Sequence, residues 1–407
     1  MSDTTVSSPL ARFDLSGLDG WTRRGMKLLT RLAIGTLTVE LPDGRQVTFE
    51  GREPGPSATV RLKTTGVVKR FMTGGDLGFA EAFIEDEAES PDLTALVELF
   101  CRNKAAIQHH TRAHPLAKLA RRVFHLLNRN SKSGSRRNIS YHYDLGNAFY
   151  ERWLDPSMTY SSALFDGSQQ DLEAAQHAKY HRLARELALE PGQRVLEIGC
   201  GWGGFAEVAA RDYGAHVHGI TLSREQLAYA QKRAFEAGLA DRLSFELRDY
   251  RDVAGSYDAI ASIEMFEAVG EKYWPAFFAT VADRLKAGGR AALQIITIDP
   301  ESFDDYRSNP DFIQRYIFPG GMLPTRAHVL DHASRSGLSP RDELGFGLDY
   351  ARTLAEWRER FLATWPEIAQ LGFDDRFKRM WLYYLAYCEG GFRSGNIDVR
   401  QFAFQRG

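Results

Sequence analysis

Val195-Leu196-Glu197-Ile198-Gly199-Cys200-Gly201-Trp202-Gly203-Gly204 runs from an apolar stretch into alternating glycines and, at Phe205, into a helical pattern. Glycine has no Cβ, so positions 199, 201 and 203 let the chain turn tightly and let a ligand approach the backbone. Outward from this turn, apolar runs recur at residues 194–198, 217–221, 243–247, 259–263 and 291–296, with helical patterns between them. That alternation predicts an α/β fold of Rossmann-like type, a parallel sheet with crossover helices.

A lone Gly-x-Gly-x-Gly also suits a strand-to-helix turn that binds nothing. Two features narrow it. Glu197 precedes the glycines by two residues, and the last glycine is displaced from its place in a dinucleotide pyrophosphate site. The second run ends at Gly219-Ile220-Thr221-Leu222-Ser223, with Gln226 one turn on, where ribose hydroxyls would lie. The third ends at Asp249-Tyr250, an acid for an adenine amino group beside a ring that could stack on the base. Asp249 would equally serve as a helix N-cap. Three successive strand ends with compatible groups point to S-adenosylmethionine.

The chain has 407 residues, 43% hydrophobic and 26% charged, which predicts two or three packed domains and excludes collagen-like, coiled-coil and disordered classes. No run of about 18 apolar residues is present, and the first residues lack a basic flank followed by an apolar core, so neither a membrane span nor an export signal is expected. Cys101, Cys200 and Cys388 have no metal-ligand or redox spacing, which fits a reducing, cytoplasmic setting and no bound metal.

The net charge of -2 is unevenly spread. Between Leu99 and Tyr143 there is no acid, while Arg102, Lys104, Arg112, Lys118, Arg121, Arg122, Arg129, Lys132, Arg136 and Arg137 all fall inside. Leu116, Leu119, Val123, Leu126 and Leu127 recur there at helical spacing, giving a basic amphipathic helix. It would suit either an anionic bilayer surface or a solvated helix packed on protein. Residues 128–138 read as a linker. Before it, alternating runs at 37–41 and 47–49 flank Pro42-Asp43-Gly44, and 58–62 adds a third, predicting a small α+β domain. The expected domains are therefore 1–100, a basic segment 101–138, and 139–407.

From about residue 138 onward the chain resembles the cyclopropane fatty-acyl-phospholipid synthases. The resemblance is carried by His142-Tyr143-Asp144-Leu145-Gly146-Asn147, Met158-Thr159-Tyr160-Ser161-Ser162, Leu196 to Gly204, Met265-Phe266-Glu267, Tyr316-Ile317-Phe318-Pro319-Gly320-Gly321, Asp349-Tyr350-Ala351-Arg352-Thr353-Leu354 and Gly391-Phe392-Arg393. The first hundred residues are similar to a sterol-carrier-like domain of the longer members. The resemblance implies a class I methyltransferase sheet with a helical substrate cover, S-adenosylmethionine as methyl donor, and cis-unsaturated phospholipid acyl chains as substrate. It further implies a homodimer, no nucleic-acid partner, and peripheral attachment to the inner membrane face through residues 102–137.

An alkene is a weak nucleophile, and its attack on a sulfonium methyl leaves a carbocation that water would trap. The site must therefore be dry and rich in electron-bearing faces, which the aromatics Tyr143, Tyr160, Phe266, Tyr316, Tyr350 and Phe392 could supply. A proton must then leave. The resemblance implies a bicarbonate base held by a Cys, a Glu, a His and a Tyr, which fall on Ser162, Glu267, Gln294 and Tyr350. Ala268 stands where a further His is usual. Ser and Gln can still donate to an oxyanion, but the altered cage leaves a cyclopropane, a methyl-branched or methylene-bearing product, or a non-catalytic lipid-binding homologue all open. Tyr143 and Cys388 complete the expected catalytic residues, although a buried Cys without a base would only pack. Tyr160 and Ser161 join Glu197, Gly199, Gly201, Gly203, Thr221, Leu222, Gln226, Asp249 and Tyr250 as expected cofactor contacts. The aromatic segment from Phe373 to Tyr387 is expected to form the helix that covers the substrate.

Overall fold

The computed structural model describes residues 16–108, 145–167 and 171–407. They group into two compact units, one of residues 16–108 with 372–396 and one of 145–167, 171–371 and 397–407. The basic segment beyond Gln108 and the motif residues His142, Tyr143 and Asp144 lie outside the described residues.

In the first unit, β1 (Ile34–Glu40), β2 (Gln46–Glu50), β3 (Glu53–Leu62) and β4 (Ala88–Glu89) form a sheet ordered β2-β1-β3-β4. The β1–β2 hairpin closes over Pro42-Asp43-Gly44, with Leu37 paired to Phe49 and Val39 to Val47. Alternate residues point to one face, so Leu37, Val39, Val47, Phe49, Ala58 and Val60 share a core with Met26, Leu96 and Leu99. Helix Gly66–Ile84 is kinked at Gly75, whose φ of 65° only glycine adopts without strain. Asn103 locks helix Leu93–Arg102 to β1: its carboxamide accepts from the N–H of Ala33 and Ile34 and donates to the carbonyls of Ile34 and Leu99.

The aromatic helix Asp375–Arg393 belongs to this unit. Arg379 donates to the Phe83 and Ala88 carbonyls, and buried Glu389 accepts from Thr94 and Arg393. The sequence places these residues in the 139–407 domain as a substrate cover, whereas by contacts they group with the first unit. Their apolar stripe is as consistent with one partner as with another, so periodicity alone could not choose the surface it packs on.

The second unit is a seven-stranded sheet ordered β10-β11-β9-β8-β5-β6-β7. Its strands are β5 (Arg194–Ile198), β6 (His216–Thr221), β7 (Leu243–Leu247), β8 (Tyr257–Ile263), β9 (Leu285–Ile298), β10 (Leu338–Gly345) and β11 (Ile397–Arg406). β5 to β9 pair in parallel, whereas β11 runs antiparallel to both β9 and β10. Leu196 and Ile198 of β5 face a core with Phe266, Trp274, Phe277 and Phe278, while Val195 faces one with Leu183, Phe205 and Val208. Helices thus cover both faces of the sheet, as a buried parallel sheet requires. The predicted α/β class is the observed one, and the chain order reverses beside β5, where ligands bind in open sheets of this kind.

Candidate active site

The glycine turn follows β5. Gly199, Gly201 and Gly203 have φ of 82°, 51° and 87°, a left-handed course that feeds helix Gly204–Tyr213. A Cβ on Gly199 would lie 2.7 Å from the Met265 side chain, so this turn is in direct contact with the turn after β8. A Cβ on Gly201 would meet nothing within 4 Å, leaving that backbone approachable. Glu197 is buried, burial holds its carboxyl well above the ordinary value, and its Oε2 has no hydrogen-bond partner among the described residues. A buried acceptor left unsatisfied costs about 1–3 kcal/mol. A ligand ammonium or hydroxyl would satisfy it, so the residues fit a nucleoside-linked amino acid such as S-adenosylmethionine.

At the next strand end, Thr221 donates to Gln226 Oε1 at 2.8 Å and accepts from the Ser223 N–H, with Leu222 half-buried between them. At the third, Asp249 is buried. Its carboxylate accepts from the Arg251 N–H at 3.0 Å and pairs with the Arg251 guanidinium at 2.6 Å. It therefore caps the short turn Tyr250–Asp252. The Tyr250 ring packs edge-on against Phe277, and burial pushes its phenol up to about 12.

The turn after β8 carries the carboxylates. Glu267 lies in a 3-10 turn, Phe266–Ala268; its Oε1 accepts from the Ile296 N–H at 2.5 Å and its Oε2 has no partner among the described residues. Burial, with the charge of Glu264 added, raises Glu267 to about 8, so it keeps its proton at neutral pH. Glu264, three residues earlier, is the residue the sequence reading overlooked. Its Oε1 accepts from the Ser162 N–H at 2.8 Å and from Gln294 Nε2 at 2.7 Å, and its Oε2 accepts from the Tyr350 hydroxyl at 2.6 Å. Burial raises Glu264, opposed by Tyr350 and by the buried cation of Lys179. The available signal was an acid closing an apolar parallel strand, the edge at which such sheets place their chemistry.

Three of the four positions expected to hold an ion thus converge on this carboxylate, while the fourth, Glu267, stands beside them in the same turn. Ser162 contributes its backbone N–H, since its hydroxyl donates to the Ala163 carbonyl. The segment around it is clamped: the Ala163 N–H donates to Thr353 Oγ1 and the Phe165 N–H to Asp349, both on helix Gly347–Ala363 with Tyr350. Ser161 Oγ accepts from Lys179 Nζ at 2.6 Å, and Gln176 Oε1 accepts from the same ammonium. Burial lowers Lys179 below the usual lysine range. Tyr160 sits among Tyr150, Trp153 and Trp357, with ring centroids 5.3–5.6 Å away. Phe266 is core, stacked on Trp274. Cys388 and Phe392 lie on helix Asp375–Arg393 in the first unit.

A doubly covered parallel sheet, a glycine turn at its switch point and an adjoining enclosed acid pair fit an S-adenosylmethionine-dependent methyltransferase, the class to which the similar proteins belong. The family model of mycolic acid cyclopropane synthetase matches residues 130–402, and the chain belongs to that family. It is 37% identical to the cyclopropane-fatty-acyl-phospholipid synthase of Escherichia coli, over 96% of this chain and 94% of that one. It is 38% identical to the tuberculostearic acid methyltransferase UfaA1 of Mycobacterium tuberculosis, over 84% of this chain and 81% of that one. Among solved structures, the mycolic acid cyclopropane synthase CmaA1 complexed with SAH and CTAB matches with a TM-score of 0.63 and 31% identity, covering 67% of this chain and 98% of that one. No helix among the described residues is long and apolar enough to cross a membrane.

Proposed function

We propose that this enzyme transfers the sulfonium methyl carbon of S-adenosylmethionine to a cis double bond in a phospholipid acyl chain, forming a cyclopropane. The observation that carries this reading is an enclosed carboxylate pair, Glu264 and Glu267, on the turn whose Met265 side chain touches Gly199. An olefin offers no proton to remove before attack, so a base here has work only after the carbon has been transferred. The aromatic group around Tyr160 and Trp357 suits a cationic intermediate, and the Escherichia coli relative, matched over nearly its whole length, supports the ring product. Glu197, the glycine backbone, Thr221 and Gln226 would hold the methyl donor. When bound, it supplies an electrophilic carbon and a neutral thioether leaving group. The charge of residues 102–137 would draw the enzyme to anionic bilayers, an attraction that raised salt weakens.

A methyl-branched or methylene-bearing product is the second reading, favoured by a relative that is named a methyltransferase, of tuberculostearic acid, and not a cyclopropane synthase. Incubation of the purified enzyme with S-adenosylmethionine and vesicles of cis-unsaturated phosphatidylglycerol should add one CH2 per modified chain. Fragmentation and proton spectra separate ring from methylene. Binding of S-adenosylmethionine with no mass gain on any unsaturated lipid would defeat the enzyme reading and favour a lipid-binding role.

A further inference from the structure

The donors that a bicarbonate ion would require are engaged by a side chain of the protein itself. The Ser162 N–H, Gln294 Nε2 and Tyr350 hydroxyl all donate to the Glu264 carboxylate, within 2.6–2.8 Å. A free bicarbonate does not fit a cage whose donors are already committed to a tethered carboxylate.

The polarity of the cage is set from outside it. Arginine can only donate, so Arg182, donating at 2.8 Å, turns Gln401 Oε1 toward itself. Gln401 must then present its NH2 to Gln294 Oε1, at 2.9 Å, and Gln294 in turn presents its NH2 to Glu264. Every link aims a donor at that carboxylate. The backbone is also held against preference: Glu264 has φ of 50°, a left-handed conformation that costs a non-glycine residue about 1–3 kcal/mol and persists where the surroundings impose it. Among the described residues, the ionisable groups that act with it are Tyr350, Lys179 and Glu267.

We propose that Glu264 is the resident proton acceptor of the reaction, standing where a bicarbonate ion would otherwise sit, so that turnover needs no bicarbonate. This deepens the reading above and rests on it for the identity of the substrate. The olefin's π pair bonds to the donor methyl carbon as the carbon–sulfur pair leaves with sulfur, which places a positive charge on the second olefinic carbon. A C–H bond of the transferred methyl then breaks. Its electron pair forms the second ring bond and its proton passes to Glu264, which returns it to solvent before the next cycle. For a methylene product, a hydrogen first moves with its pair from the methylated carbon to the cationic one, and the methyl C–H pair then forms the C=C bond. The proton goes to the same acceptor.

The test is turnover on cis-unsaturated phosphatidylglycerol vesicles in carbon-dioxide-depleted buffer, with and without added bicarbonate. Wild type should change less than about twofold, whereas Glu264→Gln and Glu264→Gly should each lose at least about a hundredfold, the usual worth of a positioned acid–base group. Added bicarbonate should restore Glu264→Gly, whose cage is open, and leave Glu264→Gln inactive. Glycine also relieves the backbone strain, and S-adenosylmethionine affinity measured by calorimetry should be retained in both variants. A wild type that stops without bicarbonate and restarts with it overturns the proposal, as does full turnover by Glu264→Gln. Carbon-13 bicarbonate NMR reads the cage without any lipid: broadening by Glu264→Gly and none by wild type supports the proposal, and broadening by wild type overturns it. No product on any vesicle would sink the olefin reading instead, with the carbon-13 result still deciding the cage.

Discussion

Two turns leave the same edge of the sheet side by side and are built in opposite ways. After β5, residues 199–204 make a left-handed turn from backbone conformation alone, every part contiguous in sequence. After β8, Glu264 and Glu267 matter only through partners at residues 162, 294, 296 and 350, drawn from three separate segments, the loop at Ser162, strand β9 and helix Gly347–Ala363. A ligand can be cradled by a local run of conformations, whereas holding a proton in a dry place takes tertiary convergence. Damage to the first turn should therefore strike stability and cofactor affinity together. Damage to the second should strike pH dependence and turnover while leaving cofactor affinity in place.

The largest effect is expected at Glu267. Burial pushes its carboxyl up to about 8, from an ordinary value of 4.5. The folded chain thus keeps a proton that the unfolded chain has shed. The stability this confers is full below 4.5 and is lost as pH rises toward 8, on the order of 5 kcal/mol by linkage. Denaturant unfolding at several pH values between 5 and 9 should show wild type losing a few kcal/mol relative to Glu267→Gln. Parallel curves for the two proteins would remove the proton from Glu267.

Gly199→Ala comes next. Its φ of 82° and the 2.7 Å approach of a Cβ to the Met265 side chain add strain to overpacking. A loss of about 2–4 kcal/mol is expected, read as a lower denaturant midpoint together with weaker S-adenosylmethionine binding. A variant that binds the cofactor normally would show that the two turns need not touch to work.

The same contrast explains what could be read in advance. β5 to β9 were legible because buried parallel strands are near-continuous apolar runs, and the glycine turn because its conformation is written in glycines. β10 was not: Ser339, Pro340, Arg341 and Asp342 carry no apolar run or alternation, and they tolerate strand geometry only at an exposed sheet edge. Tyr350, Ser162, Gln294 and Glu267 were reached through resemblance, yet none of them singles out Glu264, because a lone acid between Ile263 and Met265 gains meaning only from what surrounds it. Asp249 shows the reverse case. Its position suggested adenine, and in the fold its carboxylate is paired with Arg251.

The smallest effect tests the depth of that convergence. Gln401 on β11 is the direct cross-strand neighbour of Gln294 on β9, and it touches neither Glu264 nor the glycine turn. Gln401→Leu keeps the volume but removes the donor that fixes the Gln294 amide, which is then free to rotate and turn its oxygen toward Glu264. Arg182 retains Asp342 as a partner, so no cation is stranded. One neutral hydrogen bond is worth about 0.5–1.5 kcal/mol, so kcat should fall about two- to tenfold. The KM for S-adenosylmethionine should hold, and the acid limb of the pH profile should move upward, because Glu264 loses a donor that favours its ionised form. A purely structural role for Gln401 would lower the melting temperature and leave that limb in place, and the antiparallel strand would then support the sheet without orienting its chemistry.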